Sequence, residues 1–267
     1  MMFASDLDGT LVYSHRRLAE ETLNVSIRNV EVFNGREISF MTEKAIALLR
    51  DLSNEMMFVP VTTRTVEQYN RISLFREEIR PTYVITSNGG VVHKNGKVDM
   101  HWQDYIRTKI NRSVASVKDV KRRIEEIAGA SQLESIRVVD EFFVYLIIKP
   151  PLSPERFKDY TRLAAEIGWV FSVQGRKVYF IPSFINKWDA VDYVSKKEGK
   201  KTVYTAGDSN LDVCLIQQAE FGLIPRHGEA AVNFGHLGLT QKTGILASEE
   251  IIETILSKRL QLIPGIR

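Results

Sequence analysis

The sequence predicts an α/β fold, a doubly wound and mostly parallel sheet interrupted by a smaller α+β domain. Three observations predict it. The chain opens on a short run of large apolar residues, Met1-Met2-Phe3-Ala4, that stops at Ser5-Asp6-Leu7-Asp8-Gly9-Thr10, as a parallel strand covered on both faces does. The same unit of apolar run, polar tip and helical stretch then recurs along the chain. Between the recurrences lies a stretch of short strands paired by tight turns, with helices between the pairs, which is the pattern of an antiparallel α+β layer. At 267 residues, 44% hydrophobic and 26% charged, the chain is long enough for two unequal domains. The boundaries fall at 1–90 with 182–267 for the parallel domain and at 91–181 for the insert.

The opening strand puts Asp6 and Asp8 at its carboxyl end, where ligands collect in open α/β sheets. Leu7 separates them, and the two side chains are expected to diverge and do different jobs. After a polar segment, Tyr13 to Arg28, the alternation of Val30 to Phe40 around Asn34-Gly35 reads as a hairpin with a type I′ turn. Thr42 caps a helix whose stripe is Ala45, Ile46, Leu48, Leu49 and Leu52. Met56 to Val61 is the second strand, tipped by Thr62-Thr63-Arg64, and a helical stretch follows from about Thr65 to Glu78. Tyr83 to Thr86 is the third, ending in Ser87-Asn88-Gly89-Gly90.

The character then changes. Val91 to Val98 is a second Asn-Gly hairpin, followed by a charged helical region from about Asp104 to Ala128. Ile136–Val139 and Phe142–Ile148 pair around Asp140-Glu141. Ser153-Pro154 opens a helix that Gly168 closes. Trp169–Val173 and Lys177–Ile181 pair around Gln174-Gly175-Arg176. The α/β rhythm resumes with a helix opened by Asn186-Lys187 and ending near Gly199. A strand Val203–Ala206 follows, tipped by Gly207-Asp208-Ser209-Asn210-Leu211-Asp212, then a short strand at Phe221–Ile224. Ser248 caps a last helix running to about Leu262.

Composition excludes several function classes. A lone cysteine, Cys214, rules out a disulfide framework and a thiolate-rich metal cluster and fits a reducing compartment. The first residues lack the basic flank and long apolar core of a signal peptide, and no apolar run nears the ~18 residues of a membrane span. The expected location is the cytoplasm, with no membrane partner. A net charge of +3 is too small and too dispersed for nucleic acid, yet suits a small anionic substrate. The Lys121-Arg122-Arg123 run reads as a solvated helix face, and the five histidines, 15, 93, 101, 227 and 236, show no metal-ligand spacing. Nothing in the sequence sets an oligomeric state.

The stretch Asp6-Leu7-Asp8-Gly9-Thr10 resembles the first motif, D-x-D-G-T, of the haloacid dehalogenase superfamily, whose core is Rossmann-like. Three further matches follow in order. Thr62 stands at the Ser/Thr of the second motif, with Val61-Thr62-Thr63-Arg64 resembling the Ala-Thr-Gly-Arg of the Cof-type, sugar-phosphatase-like branch. Lys187 stands at the third motif, and Gly207 to Asp212 resembles the fourth, G-D-x-x-N-D, with Leu211 in place of an asparagine. Asn88 resembles the turn that precedes the inserted cap domain in Cof-type members.

The resemblance implies a Mg²⁺-dependent phosphatase acting on a small phosphorylated metabolite, most naturally a sugar or polyol phosphate. Asp6 is implied as nucleophile and Asp8 as general acid and base. Thr62, Arg64, Asn88 and Lys187 are implied as phosphate or substrate contacts. Asp6, the Asp8 carbonyl, Asp208 and Asp212 are implied as the metal surround, with Asp212 orienting Lys187 or a metal-bound water as its other role. Hard oxygen donors suit Mg²⁺. Specificity is expected from the cap, where Arg137, Tyr145, Arg176 and Tyr179 are candidates. Two alternatives accompany this reading: a phosphomutase resembling the phosphomannomutases, and a binding or regulatory protein with vestigial activity.

Overall fold

The structure is a computed structural model describing residues 1–18, 25–149 and 152–261. The chain divides into two compact units, Met1–Val98 with Lys187–Arg267 and Asp99–Asn186.

In the larger unit, β1 (Met2–Ser5) is buried at every residue. After a tight turn, β2 (Tyr13–Ser14) lies in the segment expected to be merely polar, and it pairs with the second strand of a hairpin. That hairpin is β3 (Ile27–Phe33) and β4 (Arg36–Thr42), turned at Asn34 (φ 51°) and Gly35 (φ 71°). Thr42 accepts the Ala45 N–H at 2.9 Å and caps α1 (Glu43–Glu55), which buries Ala45, Ile46, Leu49 and Leu52. Each large aliphatic side chain there contributes about 1.5–3 kcal/mol by leaving water.

β5 (Met57–Pro60) runs parallel to β1. The single helix expected over 65–78 is instead two, α2 (Val66–Tyr69) and α3 (Ser73–Glu77). Between them the backbone of Ile72 is extended and bridges to Glu31 of β3, so a tertiary pairing outweighs local helix propensity. β6 (Tyr83–Thr86) touches the parallel sheet through a bridge from Ile85 to Val61, and its ladder is antiparallel to β7 (Val91–Lys94), which pairs with β8 (Lys97–Val98). Because of that ladder the hairpin 91–98 belongs with the larger unit, and the boundary expected at 91 moves to 99. At the other end it moves from 181 to 186.

The inserted unit begins with α4 (Met100–Asn111), capped by Asp99, and α5 (Val117–Gln132), capped by Ser116. The sequence expected one helical region here. Ser116 accepts the Asp119 N–H at 3.1 Å and starts a new helix. β9 (Leu133–Val139) and β10 (Phe143–Ile148) pair around Asp140 and Glu141, both in the left-handed region. After α6 (Pro154–Ile167), Gly168 at φ 68° closes the helix. β11 (Trp169–Gln174) and β12 (Lys177–Pro182) complete an antiparallel sheet of order β11-β12-β10-β9.

The chain re-enters the larger unit with α7 (Lys187–Lys197), β13 (Val203–Ala206), α8 (Val213–Gln218) and β14 (Phe221–Leu223). The parallel sheet has the order β14-β13-β1-β5, which places β1 inside it. A short helix α9 (Ala231–Phe234) precedes α10 (Leu246–Gln261). Ser248 is not its cap. It lies inside the helix and donates to the Ile245 carbonyl at 2.6 Å. The expected end at Leu262 lies outside the described residues. Among the described residues no helix is long and apolar enough to cross a membrane.

Candidate active site

The sheet order brings the tips of β1 and β13 side by side, since Ser5 pairs with Ala206 and the Asp6 N–H donates to the Ala206 carbonyl at 2.9 Å. Asp6 and Asp208 therefore emerge at the same edge. A turn in which the Leu7 carbonyl accepts from Thr10, Leu11 and Val12 reverses the chain after Asp6. Gly9 sits in it at φ 87°, and a Cβ there would overlap the Arg17 guanidinium and the Asp208 carboxylate. Only glycine supplies both that conformation and that space.

Asp6 is buried. Lys187, 1% exposed at the start of α7, donates to Asp6 Oδ1 at 2.6 Å and to Asp212 Oδ1 at 2.5 Å. Thr10 donates to Asp6 Oδ2 at 3.2 Å. The other oxygen of Asp212 accepts from the Ser209 hydroxyl at 2.6 Å and the Ser209 N–H at 3.0 Å, so Asp212 is fixed as an anchor for the lysine. Asp208 Oδ2 accepts from Arg17 at 2.8 Å. Carboxylate oxygens of Asp6, Asp208 and Asp212 lie within 4.8 Å of one another.

Three buried carboxylates thus face two cations. Burial raises Asp6 well above the ordinary carboxylate range, with Asp212 and Asp208 adding to it against the pull of Lys187. Asp208 is pushed up to about 6 by burial and by Asp212, against Arg17. Burial works against the charge on Lys187, but Asp212 and Asp6 outweigh it and raise its pKa. The surplus negative charge and the all-oxygen donor set fit a hard divalent cation.

Asp8 takes a different path. Its side chain is 51% exposed and receives Arg64 in a two-pronged contact, Nε to Oδ2 and Nη2 to Oδ1, each at 2.7 Å. Its carboxylate is not one of the clustered three. Arg64, implied as a substrate contact, is turned instead toward protein acceptors: Asp8, buried Glu31 at 2.9 Å and the Gln68 carbonyl at 3.3 Å. Burial opposes its charge, and Asp8 and Glu31 outweigh that.

Thr62 is fully buried, and its hydroxyl accepts the Arg64 N–H at 3.1 Å; such a hydroxyl can still donate. The turn after β6 closes on this loop, with the Asn88 N–H on the Thr62 carbonyl at 2.9 Å and the Ser87 N–H on the Arg64 carbonyl at 2.8 Å. Ser87 (φ 52°) and Asn88 (φ 59°) both adopt left-handed backbone, a strain of about 1–3 kcal/mol each that the two backbone bonds and the packing of α7 on the turn hold in place. Every residue implied by the four motifs and by the Asn88 turn therefore lies in the larger unit.

Sequence reasoning missed Arg17, Glu31, Ser39 and His227. His227 accepts the Gly244 N–H at Nδ1 (3.0 Å), which assigns its proton to Nε2, facing the Gly9 carbonyl at 2.9 Å. Burial lowers its pKa. No metal spacing in the sequence involves it, and its signal is a fold-level contact 218 residues apart.

Of the four candidates in the insert, Arg137, Tyr145 and Tyr179 lie in one cross-strand row. Arg176 is outside that row and pairs with Glu134.

Comparison with known proteins adds a family. The family model described as sucrose-6F-phosphate phosphohydrolase matches residues 1–257. A comparison with curated proteins gives no match. Among solved structures, the sucrose-phosphatase from Synechocystis sp. PCC6803, determined with sucrose and phosphate, superposes with a TM-score of 0.64 at 18% identity, over 96% of this chain and 97% of that one. The haloacid dehalogenase subclass IIB sugar phosphatase BT4131 gives 0.65 at 13% identity, over 98% and 99%. A Thermoplasma acidophilum protein gives 0.62 at 15%, over 96% and 97%. At such identities the structures show a shared fold.

Proposed function

Because the chain belongs to the sucrose-6F-phosphate phosphohydrolase family, and so to the haloacid dehalogenase phosphoric monoester hydrolases that act on phosphorylated sugars, we propose that it hydrolyses a sugar phosphate through a phosphoryl group carried on Asp6. The observation that carries this reading is the buried contact of Asp6 with Lys187 at 2.6 Å, itself pinned by Asp212. A carboxylate at a strand tip, held in one orientation by a buried cation, is an oriented nucleophile.

In the proposed reaction a carboxylate oxygen of Asp6 attacks phosphorus and the bond from phosphorus to the sugar oxygen breaks. Asp8, a carboxylate against Arg64 in the free site, takes up a proton as the substrate binds and gives it to that departing oxygen, so the sugar leaves as an alcohol. Asp8, now a carboxylate, takes a proton from water as the water oxygen attacks phosphorus, and the bond to Asp6 breaks to release phosphate. Lys187 and the Thr62 hydroxyl hold phosphoryl oxygens. Asn88 is placed beside Thr62 and is assigned to the same end of the substrate. Arg64 acts through Asp8 rather than on the substrate, which revises the role implied from sequence.

Asp6, Asp208 and the Asp8 carbonyl are the groups assigned to Mg²⁺, with Asp212 beside them as the anchor of Lys187. When bound, the ion supplies the positive charge that lets a phosphate dianion approach three carboxylates. The substrate class we would test first is a phosphorylated disaccharide, taking the family description at its word.

The test is phosphate release from a panel of sugar and polyol phosphates, with Mg²⁺ or with EDTA, by wild type and Asp6→Asn. Release that requires Mg²⁺ and disappears in the variant is expected. Isomerised sugar phosphate without free phosphate would replace this reading with a mutase, and silence in both assays with a binding protein.

A further inference from the structure

Glu31 stands in the β3–β4 hairpin, where no motif reaches, and it is an expensive residue to place there. It is 3% exposed, and a buried carboxylate persists only where it is paired and hydrogen-bonded. Its Oε2 has both kinds of partner: the Ser39 hydroxyl donates at 2.6 Å and Arg64 Nη1 at 2.9 Å. Ser39 Oγ in turn lies 3.3 Å from Arg64 Nη2. Glu31 and Ser39 together thus grip the far side of the guanidinium whose near side, Nε and Nη2, holds Asp8.

The backbone is shaped for this grip. Val30 and Glu31 are both buried, on a strand where neighbours point to opposite faces. The ladder slips twice here, from Asn29 opposite Phe40 to Glu31 opposite Ser39, then to Val32 opposite Glu37. Asn29 Nδ2 fills the irregularity by donating to the Glu31 and Ser39 carbonyls at 3.0 and 3.1 Å. Such bulges re-aim side chains and occur next to active sites. The bridge from Glu31 to Ile72, which breaks the expected helix in two, fixes the same residue from the other side.

We propose that Glu31, seated by Ser39, is a positioning residue for the general acid: it holds Arg64 so that the guanidinium fork presents Asp8 to the leaving oxygen. This rests on the reading of Asp8 as the proton donor. A guanidinium bound only by an exposed carboxylate can follow that carboxylate into solvent, whereas one anchored on a buried carboxylate fixes the carboxylate at its other edge.

The test uses leaving-group chemistry. A sugar alkoxide needs a proton to depart, and p-nitrophenolate does not. The quantity measured is kcat/KM, which reports steps through departure of the leaving group. Glu31→Gln should lower it about tenfold for the best sugar phosphate of the panel, a fraction of the 10²–10⁴ of a general acid, and leave p-nitrophenyl phosphate within about twofold. Ser39→Ala should move it the same way by less, and keeps the question open to measurement if Glu31→Gln fails to fold. In an Asp8→Asn background, Glu31→Gln should add nothing, since both act through one group.

Equal losses on the two substrates, or no loss on either, would overturn the proposal. So would additive losses in the double variant. Hydrolysis of neither compound by the wild type would strike the phosphatase reading itself, and this proposal with it.

Discussion

Asp6 and Asp8 are two residues apart and have opposite surroundings. Asp6 is buried, held by a lysine from position 187 and flanked by two more carboxylates. Asp8 is half in solvent, held by an arginine from position 64 that leans on the β3–β4 hairpin. The strand ends at Ser5, and the turn that closes on the Leu7 carbonyl sends the two side chains to different surroundings, each with its own cation. A nucleophile needs fixed direction and dry surroundings, while a proton donor must exchange with water and reach a leaving group. The contrast teaches that this chain separates its two neighbouring aspartates by burial rather than by distance along the sequence.

The comparison breaks most completely at Lys187. Lys187→Ala leaves Asp6 and Asp212 buried without their cation, so it should abolish turnover and destabilise the fold by about 3–5 kcal/mol, read by denaturant titration. A variant of near wild-type stability would show that water or another cation replaces the lysine.

On the exposed side, Arg64→Lys keeps the charge and loses the fork. It should cost about 10²-fold in kcat/KM on sugar phosphates, with a smaller loss of stability than Lys187→Ala because the charge beside buried Glu31 is kept. Equal damage to stability would erase the distinction between the two sides.

Arg17→Ala sharpens the buried side. Arg17 occupies Asp208 Oδ2, an oxygen of the carboxylate proposed above for the cation, so its removal should tighten Mn²⁺ binding, followed by electron paramagnetic resonance, about two- to fivefold, the range of a partly exposed ion pair. Weaker binding would make Arg17 a support of the site instead.

The smallest effect concerns His227, which holds the loop between the two sides through the Gly9 carbonyl. Burial lowers its pKa from 6.5, so below that pH the unfolded chain binds the extra proton more readily. Its stability contribution is full above pH 6.5 and is lost as the pH falls toward the folded value. His227→Asn should flatten the difference in stability between pH 7 and 5 relative to wild type, and an unchanged slope would locate that titration elsewhere.

Much of this arrangement was legible in the sequence because strand tips are local features. Apolar runs ending in Asp6, Thr62 and Asp208, a lysine opening a helix, and Asn-Gly turns with φ near 50–75° all declare themselves within a few residues. What stayed hidden depends on contacts between distant segments. Glu31 reads as an ordinary polar strand position until Ser39 and Arg64, from other segments, close on it. The helix over 65–78 reads as continuous until Ile72 is drawn to β3. Arg17 and His227 follow the same rule, meeting Asp208 and Gly9 across 191 and 218 residues. The hairpin 91–98 reads as part of the insert because its pattern is antiparallel, and only its ladder with β6 returns it to the larger unit.

The central claim is that the phosphoryl group passes through Asp6. The most direct measurement is to quench the enzyme during turnover of its best sugar phosphate, reduce the acyl phosphate with borohydride and map the modified residue by peptide mass spectrometry. Conversion of Asp6 to homoserine in the turning-over sample, absent without substrate, is the expected result. Modification at another carboxylate, or none during sustained turnover, would contradict the account.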